Sequence, residues 1–103
     1  MTEKQQFVYV LKLIPRLLKE DQWKESDQEI VEEHFHTLKK MQQDGQLILA
    51  GRTLQMDETT FGLVIFEANS MTDAKMMMKN DPAVKKGIMT AEIFPYRVAL
   101  MRN

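Results

Sequence analysis

A chain of 103 residues with 44% apolar and 28% charged side chains has the composition of one globular domain, which excludes a disordered or collagen-like chain. Its 14 Lys and Arg stand against 15 Asp and Glu, and the formal charge of −1 excludes a polycation built for nucleic acid. With no cysteine, the chain has no disulfide, no Cys-ligated zinc and no thiol nucleophile.

The longest apolar runs, such as Phe7 to Leu11, fall far short of the roughly 20 residues that span a bilayer. The polar start from Met1 to Gln6 does not read as a basic-then-apolar leader. The expectation is a single cytoplasmic domain over residues 1–103, with neither nucleic acid nor membrane as a partner.

Phe7 to Ile14 is rich in β-branched and aromatic residues and is stopped by Pro15, so it predicts a first strand. Phe7, Tyr9, Leu11 and Leu13 share one face, while Val8, Val10 and Ile14 share the other. That is the pattern of a strand buried on both sides. A polar connection carrying the sole tryptophan, Trp23, runs from Pro15 to Glu25. Ser26 and Glu29 then read as a capping box with Ser26 as N-cap. Ile30, Val31, His34, Phe35, Leu38 and Met41 recur with helical period, and Glu32, Glu33, Lys39, Lys40 and Gln43 point outward. Gly45 ends this helix.

Gln46 to Leu54 and Thr60 to Ala68 predict two strands of a hairpin, joined by Gln55 to Thr59. Ser70, with Asp73 three residues on, caps a second helix through Met76, Met77 and Met78. Asp81 and Pro82 open a short helical turn as N-cap and first residue, closed by Gly87. A last strand runs from about Ile88 to Leu100, where Pro95 points to an edge or a bulge. The order predicts an α+β, ferredoxin-like βαββαβ sandwich, with two helices on one face of an antiparallel sheet. Yet three of the strands are apolar on both faces. A bare second face would be a patch that soluble monomers avoid, so a homodimer joined sheet to sheet is expected.

Several chemistries have no motif here. There is no Gly-rich phosphate loop, G-x-S-x-G elbow or H-E-x-x-H. Phe61 to Phe66 lacks the basic lead-in and aromatic pattern of an RNA-binding sheet. His34 and His36 are the groups whose ordinary titration lies near neutrality. At about 100° per residue, His34 falls on the apolar stripe and His36 turns about 200° away onto the Glu/Lys face. His34 reads either as a core histidine with one hydrogen bond or as a working group, and His36 as a solvated one. As a metal pair they are poor, because residues i and i+2 of a helix do not face each other. Capping alone explains Asp81, although a carboxylate held by helix N–H groups also suits an acid–base partner. Arg52 is either a surface cation or a guanidinium brought to an anionic ligand beside the bare Gly51 backbone. Asp57 reads as turn chemistry. Met76 to Met78 read as core filling plus surface, since successive helical residues diverge.

Three segments resemble the YCII-related domain family (YciI-like proteins) in order and spacing. The first is His34-x3-Leu38-x6-Gly45, continuing through Gln46-Leu47-Ile48-Leu49-Ala50-Gly51. The second is the strand Phe61 to Glu67 before a Ser-capped helix. The third runs from Asp81-Pro82-Ala83-Val84-Lys85-Lys86-Gly87-Ile88 into Ala91-Glu92-Ile93-Phe94-Pro95-Tyr96. The resemblance implies a ferredoxin-like fold that forms dimeric α+β barrels, akin to muconolactone isomerases and small monooxygenases. It also implies a His and an Asp at an active-site cleft, with the histidine at His34. Asp81 matches the Asp-Pro motif, Asp57 lies in the most variable loop, and both stay candidates for the pair. The family often has Ala-Gly-Pro where this chain has Ala50-Gly51-Arg52, which implies a more cationic pocket.

Two functions from different classes follow. One is a small cofactor-independent enzyme acting on a small organic acid, lactone or activated carbonyl. There His34 is the general acid or base, Asp81 orients it, and Arg52 or Asp57 binds substrate. The other is a non-catalytic dimeric module for a small anionic organic ligand or a partner, with His34 as a hydrogen-bond donor in its pocket. Neither calls for a metal or a cofactor.

Overall fold

The computed structural model describes residues 4–102, and the start at Met1 to Glu3 lies outside them. Strands β1 (Gln5–Leu13), β2 (Leu47–Arg52), β3 (Gly62–Ala68) and β4 (Met89–Tyr96) form one sheet in the order β2-β3-β1-β4. Every pairing is antiparallel. Helix α1 (Glu25–Gln43) follows β1 and helix α2 (Met71–Asn80) follows β3, while the four-residue α3 (Pro82–Lys85) leads into β4. This is the expected α+β, ferredoxin-like plan.

Residues opposite each other in an antiparallel pair point to the same side of the sheet. The register Phe7↔Phe66, Tyr9↔Val64 and Leu11↔Gly62 therefore puts these residues on one face. That face holds the core. Phe7, Tyr9, Leu11, Val64, Phe66 and Ala68 pack with Leu38 and Met41 of α1 and with Ala74 and Met78 of α2. On the other face, Val8 opposes Ile65 on one side and Phe94 on the other, and Leu49 extends the row. Neighbouring side chains bury Val8 and Ile65, but Leu49, Phe94 and Tyr96 stay exposed. Both helices belong to the first face, so the second apolar face is left bare.

Element ends differ from the sequence expectation where pairing decides them. β4 stops at Tyr96, not Leu100, because Tyr96 pairs with Gln6 near the start of β1 and little strand lies beyond it. Pro95 is tolerated because β4 is an edge strand. The hairpin loop is longer than Gln55 to Thr59, since β2 ends at Arg52 and β3 starts at Gly62. Thr53 N–H bonds Phe61 O across its base at 2.9 Å.

The start of α1 is a correction. Lys24, not Ser26, is the N-cap, and the Asp27 carboxylate accepts from the Lys24 N–H at 2.9 Å. Asp27 is drawn there by Arg16, which grips it through both guanidinium nitrogens at 2.8 and 3.0 Å and also donates to Gln22 O at 2.9 Å. The connection from Pro15 to Lys24 is thus two 3-10 turns clamped onto the helix start rather than a loose polar loop. Leu17 is fully buried beside Ala83 and Ile88, and the Trp23 indole N–H donates to Leu17 O at 2.9 Å.

The Arg16 hydrogen bonds first, and then the Lys24 N–H, hold the Asp27 carboxyl down at about 2 against an ordinary 3.8. A carboxyl depressed on folding contributes stability above its ordinary value and loses it as pH falls through the folded one. Acid unfolding of the wild type is therefore expected to gain from Asp27 between those two values. Asp27→Asn should flatten that part of the stability–pH curve, as urea midpoints at graded pH will show.

Candidate active site

Asp81 stands where α2 ends and α3 begins. Its N–H donates to Met78 O at 3.2 Å, and its Oδ1 accepts from the Ala83 N–H at 3.0 Å. Pro82 fills the first helical position, where a missing N–H costs nothing. The cap fixes the carboxylate locally, and packing then buries it completely. A buried carboxylate needs hydrogen-bond donors to stay charged. Helix α1 brings His34, whose Nδ1 lies 2.7 Å from Oδ1 and 2.9 Å from Oδ2. From the middle of β1, the Tyr9 hydroxyl donates to Oδ2 at 2.8 Å. An exposed ion pair, Lys86 Nζ to Glu33 Oε2 at 2.8 Å, ties the end of α3 to α1 nearby.

This arrangement selects a tautomer. Both Asp81 oxygens act as acceptors, so a neutral His34 carries its proton on Nδ1 and keeps the lone pair on Nε2. Burial, and then the Asp81 charge, push the Tyr9 hydroxyl far above the ordinary phenol range, so it remains a donor. Among the described residues no buried side-chain nitrogen or oxygen lacks a partner. Nε2 has none, so it opens onto the groove that His34 lines.

That groove, of about 1390 Å³, runs between α1 and the β2–β3 side of the sheet. Its walls are mostly apolar, with Trp23, Val31 and Leu38 on one side and Leu47 to Gly51 on the other. Arg52 lines it together with His34 and forms no salt bridge among the described residues. At Gly62, which also lines the groove, an added Cβ would lie 3.3 Å from Gly51 O and 3.8 Å from the Cβ atoms of Leu11 and Arg52, so the strands approach too closely there for a side chain to fit without a shift. Phe35 differs from the sequence reading. It is 63% exposed, standing over the groove beside the edge strand β2 rather than in the core.

Of the two candidate aspartates, the structure brings Asp81 to His34. Asp57 lies exposed in the hairpin loop and does not line the groove. The Thr59 hydroxyl and N–H both bond its carboxylate, and these bonds hold its carboxyl below the ordinary range. Tyr9 went unnoticed in the sequence, where it reads as one more core aromatic on an alternating strand. So did Gly62. Among the described residues no group of three His, Asp or Glu is placed to hold a metal ion, and no helix is long and apolar enough to cross a membrane.

His36 is exposed on the outer face of α1, whereas the His34 side chain keeps only 12% of its surface. Diethyl pyrocarbonate is expected to modify His36 quickly and His34 slowly, with peptide mass spectrometry reading the two sites. Equal rates would contradict the burial of the His34 ring.

The fold is shared by solved structures, among them the following two. One is 5-chloro-2-hydroxyhydroquinone dehydrochlorinase (TftG) from Burkholderia phenoliruptrix, in complex with 2,5-dihydroxybenzoquinone. Its TM-score is 0.59 at 18% identity, covering 89% of this chain and 93% of that one. The other is an uncharacterized protein from Thermotoga maritima, with a TM-score of 0.55 at 8% identity, covering 92% of this chain and 100% of that one. The sequence matches no curated protein. The pattern of the YCII-related domain, however, matches residues 6–97, almost the entire chain. The chain therefore belongs to the YCII-related domain family.

Proposed function

We propose that this protein is a cofactor-independent acid–base enzyme for a small organic acid, lactone or activated carbonyl compound. The observation that carries the reading is the His34–Asp81 contact at 2.7 Å, with Nε2 left open to an apolar groove. Nε2 takes a proton from an acidic carbon or hydroxyl, and the imidazolium is stabilised by the buried Asp81 charge. The electron pair left on the substrate then either takes the proton back at another atom, an isomerisation, or expels a leaving group, an elimination. Arg52 holds the anionic end of the substrate in the same groove. A dehydrochlorinase built on the same fold supports this class of chemistry. General acid–base transfer of this kind is typically worth 10²–10⁴-fold. The working unit is a homodimer joined through the bare sheet face, which would remove Leu49, Phe94 and Tyr96 from water.

The test is a panel of lactones, hydroxy acids and halogenated hydroquinones, followed for turnover and for binding with the wild type and with His34→Ala. Turnover that disappears in His34→Ala supports the proposal. Binding without turnover, unchanged by the substitution, supports a ligand-binding module instead.

A further inference from the structure

The proton transfer described above uses His34 and Asp81, but a third side chain completes their hydrogen bonding. Asp81 has one anchor from its own turn, the Ala83 N–H on Oδ1. With that alone, the carboxylate could swing about its last torsion, which is broad for an Asp side chain. The second fixed anchor is Tyr9, reaching Oδ2 from across the core. Tyr9 is itself held firmly. It is 1% exposed in the middle of β1, pairs with Val64 on one side and Ile93 on the other, and sets its ring edge-on to Phe66 with centroids 5.5 Å apart.

We propose that Tyr9 is a positioning residue for His34, acting through Asp81. Its hydroxyl fixes the rotation of the carboxylate, and so the plane in which the imidazole must lie. It also draws off part of the carboxylate charge, because each donor on an acceptor weakens what that acceptor offers the next. Tyr9 thereby sets how strongly Asp81 pulls on the Nδ1–H, and couples the centre of the sheet to the groove. A phenylalanine would fill the same space and pack equally well on Phe66, which is why packing alone does not account for the hydroxyl. This inference rests on the acid–base reading of the His34–Asp81 pair.

The experiment is NMR of histidine-labelled protein without any ligand, at a pH where the imidazole is neutral, following the His34 Nδ1–H resonance. In Tyr9→Phe the carboxylate loses a donor, pulls harder, and should move that resonance to lower field. A second protein carries 3-fluorotyrosine at position 9, in a Tyr96→Phe background so that one tyrosine remains. Its more acidic phenol donates more strongly and should move the resonance to higher field, and it decides the matter if Tyr9→Phe fails to fold. Opposite shifts in the two proteins support the proposal. An unmoved resonance in either folded protein overturns it and leaves Tyr9 a packing residue. Asp81→Asn serves as the control. If it shifts or abolishes the Nδ1–H signal while the Tyr9 variants leave it in place, only the role of Tyr9 fails. If the signal is unmoved in Asp81→Asn, the His34–Asp81 pairing fails with it.

Discussion

Asp81→Asn is expected to abolish turnover while leaving the fold nearly intact. The amide oxygen can still accept from the Ala83 N–H, because Asn caps a helix about as well as Asp. Its amino group can donate to the Tyr9 oxygen, since a phenol accepts as well as donates. The same amide oxygen can go on accepting from the His34 Nδ1–H, which lies nearer Oδ1 than Oδ2, but it carries no charge. The imidazolium formed on proton transfer therefore loses the carboxylate that stabilises it. The loss should approach the whole acid–base contribution, on the order of 10²–10⁴-fold in kcat. Asp81→Ala behaves differently. It strands the Tyr9 hydroxyl, the His34 Nδ1 and the Ala83 N–H in the interior at once. Each buried polar group left without a partner costs about 1–3 kcal/mol, so the loss exceeds the roughly 0.5–2 kcal/mol of a missing cap. Thermal melts set beside activity separate the two variants. An active Asp81→Asn protein would reduce Asp81 to a helix cap.

The second large effect is expected at the bare sheet face. Light scattering of the wild type at micromolar concentration should give twice the 12.1 kDa of one chain. Leu49 and Phe94 flank the buried Val8–Ile65 row and are exposed in the single chain. Leu49→Lys combined with Phe94→Lys therefore leaves the monomer core untouched, yet puts unpaired ammonium groups inside the expected interface. Burying such a charge costs several kcal/mol even after relaxation. At about 1.4 kcal/mol per factor of ten, the dimer should weaken by about 10³-fold or more and the variant should run as a monomer. Its Tm should fall too, because association with a second copy no longer stabilises the folded chain. A wild type that is monomeric at this concentration with ordinary stability would remove the dimer from the proposal.

Much of the fold was legible because strand alternation and capping are local. Phe7 to Leu13 announces a two-faced strand by its side chains alone. Ser70 and Asp81 announce helix starts, and the structure shows both side chains accepting the expected N–H groups. The start of α1 is not legible, for the opposite reason. Asp27 caps it because Arg16, eleven residues earlier, holds it there, and no window around Ser26 contains that ion pair. His34 could be placed on the apolar stripe by period. Its partner could not be chosen between Asp57 and Asp81 until the α2–α3 junction was set against α1. Tyr9 lies 72 residues from Asp81 in the chain. Nothing in an alternating strand marks one aromatic as the donor to a distant carboxylate. Phe35 shows the limit of helical period, which places it on the apolar stripe of α1, whereas in the fold it is exposed and lines the groove.

Neutron diffraction from deuterium-exchanged crystals, grown at a pH where His34 is neutral, bears most directly on the base at Nε2. A deuteron on Nδ1, directed between the two Asp81 oxygens, with a bare Nε2 facing the groove, is the expected result. A deuteron on Nε2, with Nδ1 bare or the proton resident on Asp81, would contradict it, because the groove would then be offered a donor and no base.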